Sequence, residues 1–318
     1  MRLLVGLFLL LFWGCASLPV SQPVPRMPVT VQEEAFQFIQ QHGGAYADTD
    51  LTEYVKQRGR FWTQQSLQPG LPWSFTILDR SATDVHLFPQ GQVLLTRGAI
   101  AGLSGWQQLE ALLQGAVADA SAAPMATYRT IPVEQIVARA AFQTAQKPDG
   151  ADWFVSRLGQ LKQMAPGYDL YATGRRQEKA GDLGGAVRTY LQAATLAPEQ
   201  PQILTGLGLA YLQLGDLPAA RAHLNRAVRF QPDYYLSRMG WGYVFLQQED
   251  FPEAIRQLKK SVALLPIVRN RYLLAESYAK DGQTARALTL FREVAADDRW
   301  GKLGRTAAEQ VRILEKSE

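Results

Sequence analysis

Between Gly167 and about residue 301 the chain repeats itself with a period close to 34 residues. The second unit is marked by Leu204, Leu207, Gly208, Tyr211, Ala220, Leu224, Ala227 and Pro232. One period back stand Leu170, Gly174, Ala186, Tyr190, Ala193 and Pro198; one period forward stand Trp241, Gly242, Phe245, Ala254, Leu258 and Pro266. A fourth unit, one residue out of phase, carries Leu274, Ala275, Tyr278, Ala287 and Phe291. The pairs Gly181-Asp182, Gly215-Asp216, Glu249-Asp250 and Asp281-Gly282 split every unit into two helix-length halves. Small residues recur where two helices must cross closely, and large ones where the gap must be filled. A unit of this size cannot bury its apolar face alone, so neighbours must stack into an open solenoid.

This spacing resembles the tetratricopeptide repeat. The resemblance implies a concave surface lined by the first helix of each unit, and hence a protein partner or client peptide. Carrying the groove positions over gives Tyr168, Tyr171 and Arg175 from the first unit. The third unit gives Met239 and Tyr243, and the fourth gives Arg269, Tyr272 and Glu276. Tyrosine and arginine are frequent anchors of protein interfaces; the alternative for any one of them is packing between neighbouring repeats. Polar residues from about Thr306 to Lys316 suit a closing helix over residues 302–318. From Gly167 on there are 21 basic and 17 acidic residues, and the whole chain carries a net charge of only +4. That bias is spread out, which excludes the clustered basic footprint of a nucleic-acid partner.

Arg2 and the eleven apolar residues Leu3–Trp13 open the chain. The run is too short to span a bilayer, which takes roughly 20 apolar residues, and it suits a secretory signal. The following Gly14-Cys15-Ala16-Ser17 resembles the lipobox of bacterial lipoproteins. That resemblance implies a signal peptide over residues 1–14 and a lipid-modified Cys15. It also implies anchoring on the periplasmic side of the outer membrane, since Ala16 replaces the usual inner-membrane retention residue. The alternative is an ordinary cleaved signal and a soluble periplasmic protein. Pro19, Pro23, Pro25 and Pro28 make residues 15–30 an extended tether.

Residues 31–166 read as helix, strand, strand, then helices. The strands are Ser74–Leu78 and Val93–Thr96, with a turn at Pro89-Gln90-Gly91, and the long helix runs from Gly105 to Ala120. The stretch Asp84–Gly98, together with Tyr46-Ala47-Asp48 and Leu51–Val55, resembles the HtpX-type zinc metallopeptidases. That resemblance implies an α+β, gluzincin-like domain with a small β-hairpin or sheet, set before the all-α solenoid. In that family the hairpin offers an edge strand to substrate. The next helix carries His-Glu-x-x-His, two zinc ligands and the base that activates water. Here the matching positions are Gly115, Ala116 and Asp119, and the third ligand position falls on Gly150. Cys15 is the only cysteine, and His42, His86 and His223 lie far apart, so no thiolate or local histidine pair replaces them. The expectation is a non-catalytic chain with no catalytic residue, metal or cofactor. The alternative is an active zinc endopeptidase with unconventional ligands, for which His86, Asp119 and Glu110 are the available groups.

Overall fold

The computed structural model describes residues 30–122, 128–140 and 147–317; Cys15 and the tether up to residue 29 lie outside them. The first elements are α1 (Val31–Gln41), α2 (Thr49–Thr63), β1 (Ser74–Leu78), β2 (Asp84–Phe88) and β3 (Gln92–Thr96). They are followed by α3 (Arg97–Ala101), α4 (Trp106–Ser121), β4 (Arg129–Pro132) and α5 (Val133–Arg139). Alternate residues of a strand face opposite sides of its sheet. Val85 and Leu87 of β2 join Phe75, Ile77, Val93 and Leu95 in a core with α2 and α4. Phe88, Leu78 and Leu94 face the other way, onto Ala35, Phe38 and Ile39 of α1. The small sheet is therefore buried on both faces between helices.

The strand order is β1-β3-β2-β4. The expected pairing of Ser74–Leu78 with Val93–Thr96 across the Pro89-Gln90-Gly91 turn needs correction. Those two strands are parallel neighbours, Phe75 opposite Val93. The hairpin arms are β2 and β3, with Val85 opposite Leu95. Left-handed Gln90 (φ 61°) and Gly91 (φ 78°) make its turn. The expected edge strand is also corrected: β1 flanks β3, and β4 flanks β2 with Leu87 opposite Arg129. Both hairpin arms are internal. The edges go to β1, whose outer side is bridged at Leu78 by Ala45, and to β4; β4 is short, ends at Pro132 and starts with an exposed arginine, features that discourage strand addition.

Next come α6 (Ala151–Lys179), α7 (Leu183–Leu196), α8 (Pro201–Leu214), α9 (Leu217–Phe230) and α10 (Tyr235–Gln247). The chain closes with α11 (Phe251–Leu264), α12 (Val268–Lys280), α13 (Thr284–Asp297) and α14 (Lys302–Ser317). Consecutive helices pair into four antiparallel hairpins, and α14 buries Ala307 against the last of them. Left-handed residues sit at each intra-unit turn: Gly181 (φ 85°), Gly215 (φ 80°), Glu249 (φ 62°) and Gly282 (φ 77°). Asp182, Asp216 and Asp250 cap α7, α9 and α11 by accepting from the amides of Gly185, Ala219 and Glu253 at 2.8, 3.0 and 3.2 Å. The phase slip of the fourth unit lies in one loop. Gln231–Tyr234 joins α9 to α10, whereas the shorter Leu265–Ile267 joins α11 to α12.

A boundary at Pro166/Gly167 has no break in the backbone, because α6 runs straight through it. Phe154, Leu158 and Leu161 of this helix belong to the core of the sheet, while Tyr168 and Tyr171 pack with Ala193, Ala197 and Ile203 of the repeats. Glutamines tie the two halves further. Gln40 donates to the Asp233 carbonyl at 2.9 Å and accepts from the Tyr235 amide at 3.2 Å. Gln202 donates to the Gly43 carbonyl at 2.7 Å, and Gln231 donates to that of Ala45. The approach is close enough that a Cβ on Gly43 (φ 110°) would run into the side-chain amide of Gln202. Residues Val31–Glu318 accordingly form one compact unit. Among the described residues no helix is long and apolar enough to cross a membrane.

Candidate binding groove

The first helices of the four units, α6, α8, α10 and α12, share a groove of about 870 Å³ that α14 closes at one end. Tyr171, Arg175, Met239, Tyr243, Arg269, Tyr272 and Glu276 all line it. Leu209 and Leu212 of the second unit, from which no groove residue is expected, line it too. The register was a usable signal, since Leu209 stands one period from Arg175 and from Tyr243. Lys302 and Leu303 of α14 complete the wall.

Arg175 donates to the Tyr171 hydroxyl at 3.2 Å and lies 3.8 Å from Glu178. Tyr171 first, and Glu178 to a lesser degree, hold its guanidinium above the ordinary arginine range. Burial pushes the Tyr171 hydroxyl up, so it stays a neutral donor at physiological pH. Burial also raises the Glu276 carboxyl, which Lys280 at 3.9 Å only partly offsets. Tyr243 and Tyr272 are half-buried. Tyr272 meets the edge of Phe291 at 5.5 Å between centroids, so part of that ring serves the repeat itself.

Met239 lines the groove as part of its wall, since it is only 4% exposed and packs with Leu246, Ala254 and Leu274. One expected groove residue is corrected. Tyr168 is only 2% exposed and does not line the groove. It faces the sheet domain, its ring beneath the Arg97 guanidinium and its hydroxyl donating to Gln200 at 2.5 Å.

Where the metallopeptidase resemblance places a metal, α5 lies over α4. A Cβ at Gly115 would stand 2.5 Å from Ile136. Ala116 is fully buried, and Asp119 pairs with Arg139 at 2.9 Å. At Gly150 (φ 78°) a Cβ would stand 2.8 Å from the Tyr54 ring. His86, Glu110 and Asp119 do not converge. Glu110 accepts from Arg58 at 2.6 Å and from Trp62 at 2.7 Å; His86 pairs with the Thr130 hydroxyl at 2.8 Å. His42 closes α1 on the Phe38 carbonyl, and His223 stacks on Tyr211. Among the described residues no three His, Cys, Asp or Glu side chains gather as a metal site would require.

Residues 171–235 and 239–300 match the model of the tetratricopeptide repeat family. The C-terminal part of the chain is thus a helical solenoid of tetratricopeptide repeats, a protein-interaction module preceded by a small sheet. A BBSome complex member from Bos taurus, BBS4, is 42% identical over 52 residues, which is 16% of this chain and 10% of that one. The chain therefore spans about a tenth of the length of that curated relative. Among solved structures, the tetratricopeptide protein TTC0263 of Thermus thermophilus is similar at 23% identity with a TM-score of 0.41, covering 50% of this chain and 90% of that one. MamA of Desulfovibrio magneticus RS-1 is similar at 22% identity with a TM-score of 0.39, covering 48% and 96%.

Proposed function

We propose that this chain is a non-catalytic lipoprotein of the bacterial envelope, an adaptor or chaperone-like factor in outer-membrane or envelope protein assembly. In this reading Cys15 carries the lipid on the periplasmic side of the outer membrane. The sheet domain is a peptidase relic, since Gly115, Ala116 and Gly150 bring no ligand atom to the positions that would hold zinc. The repeats act by holding a segment of a protein partner or client. The observation that carries this is the groove, where Tyr171, Tyr243 and Tyr272 from three units line one continuous hollow with Arg175 and Arg269.

Tyr243→Ala tests the groove. The protein and its variant are purified from their own envelope, and co-purifying chains are identified. A partner held by the groove loses on the order of 2 kcal/mol of affinity, the hot-spot scale, while circular dichroism stays that of a folded solenoid. Unchanged retention with an intact fold places binding elsewhere. Stoichiometric zinc with casein cleavage by the pure protein would overturn the non-catalytic reading. Cys15→Ser leaves the protein unprocessed or off the membrane; a wild-type chain found only in the soluble fraction would contradict the anchor.

A further inference from the structure

A second hollow of about 480 Å³ lies where the sheet domain meets the repeats. It shares Tyr171, Arg175 and Leu236 with the groove, so the two adjoin. Five cations line it: Arg80 from the turn after β1, Arg97, and Arg175, Arg176 and Lys179 from the end of α6. Asp79 is the one carboxylate among the lining residues, and it is already taken by Arg97 at 2.9 Å. Arg176 spends one nitrogen on the Thr173 hydroxyl at 2.9 Å. Arg80 and Lys179 make no ion pair among the described residues. The groove proper is nearly balanced, with Arg175, Arg269 and Lys302 against Glu178 and Glu276.

Like charges gathered in a concave, partly desolvated site focus their field into it and attract the opposite charge. Ordinary solvated surfaces intersperse the two signs. Arginine forks also offer paired donors matched to a carboxylate. Three separate parts of the chain supply the cations, the β1–β2 turn, the start of α3 and the end of α6, so the pocket exists only where the domain and the first repeat meet.

We propose that this junction pocket receives a short acidic stretch of the protein segment that fills the groove, so that the occupant is apolar and aromatic along the repeats and carboxylate-rich at this end. The inference rests on the groove reading above, and its test separates the two.

The full mature protein is titrated with two fluorescein-labelled peptides that share an apolar, aromatic half. One ends in a run of Asp and Glu, the other in the matching Asn and Gln. The acidic peptide binds at least about tenfold tighter at low salt, a difference of about 1.4 kcal/mol, and the advantage shrinks as salt rises. Arg80→Ala with Lys179→Ala removes that advantage and leaves the amide peptide unaffected. Tyr243→Ala weakens both peptides. Equal affinities for the two peptides sink the acidic pocket while leaving the groove standing; an advantage that survives the double substitution places the charge recognition elsewhere. Binding of neither peptide removes the groove reading and this inference with it. Inorganic phosphate that displaces the acidic peptide more effectively than free glutamate does would assign the pocket to a phosphate group instead.

Discussion

The guanidinium of Arg97 stands 3.1 Å from the centroid of the Tyr168 ring. The same guanidinium donates to Asp79 at 2.9 Å, with both charged side chains almost wholly buried. A residue of the sheet domain is thus sandwiched between a carboxylate of its own domain and an aromatic ring of the shared helix. Arg97→Ala leaves the Asp79 charge buried without its partner, at a cost of about 3–5 kcal/mol. Replacing both partners with apolar residues of similar size, Arg97→Met with Asp79→Leu, costs much less. Urea unfolding of the three chains checks this; an Arg97→Ala midpoint equal to wild type would show that the pair contributes nothing.

Glu249 holds a left-handed conformation that Gly181, Gly215 and Gly282 hold in the equivalent turns. A side chain there is strained, so Glu249→Gly is expected to stabilise by about 0.5–1 kcal/mol despite the added freedom of the unfolded chain. In the fourth unit Gln283 occupies the cap position of α13 without a side-chain cap bond. Gln283→Asp supplies what α7, α9 and α11 already have and is worth about 1 kcal/mol. Thermal melts of both single variants and their combination measure this. The sites are far apart in the chain, and their gains should add; a lowered melting point for either would contradict it.

Writing His-Glu-x-x-His into α4 is expected to destabilise the fold without creating a zinc site. Gly115→His drives a ring into Ile136, and Ala116→Glu buries a carboxylate among Leu112, Val117 and Ile136. With Asp119→His added, the triple variant loses roughly 3 kcal/mol or more of stability. It shows no zinc-dependent casein cleavage, because the Tyr54 ring fills the space beside Gly150. Stoichiometric zinc and peptidase activity in that variant would reveal a ligand the geometry does not show.

His86 makes the fold acid-sensitive. Burial pushes its pKa down to about 4 from the 6.5 of a free histidine, against a weaker opposing pull from Asp84. Between those values the unfolded chain holds a proton that the folded chain refuses, so this group's contribution to stability rises with pH through the window and is full above it. About 2 kcal/mol should be lost between pH 7 and pH 4.5 on this account. His86→Asn flattens the difference. Equal losses in wild type and variant would move the acid response to other groups.

The repeats were legible because their constraints are local and periodic. A left-handed turn residue followed by an aspartate cap is written in adjacent letters, and the register alone places Arg175, Tyr243 and Glu276 on one wall. Strand β2 was not legible as a strand. Its polar His86 breaks the apolar run, and burial on both faces removes the alternation that marks a half-exposed strand. Tyr168 was misplaced for another reason: repeat register reports which way a side chain points, and the sheet domain happens to sit in its way. The glutamine ties had no signature at all, because Gln202 and Gln231 bind main-chain carbonyls, which every residue carries.

Helix α6, 29 residues long, spans roughly 40 Å at 1.5 Å per residue. One end is embedded in the core of the sheet and the other forms the first wall of the groove, so it acts as a continuous beam between them, with one backbone hydrogen bond missing at its internal Pro166. A load applied by an occupant at Tyr171 or Arg175 is carried as bending of that beam into the packing around Phe154 and Leu158. Stiffening or fracturing the beam, for instance with a proline near Leu161, would change how the two ends respond to each other without altering a single residue that an occupant touches.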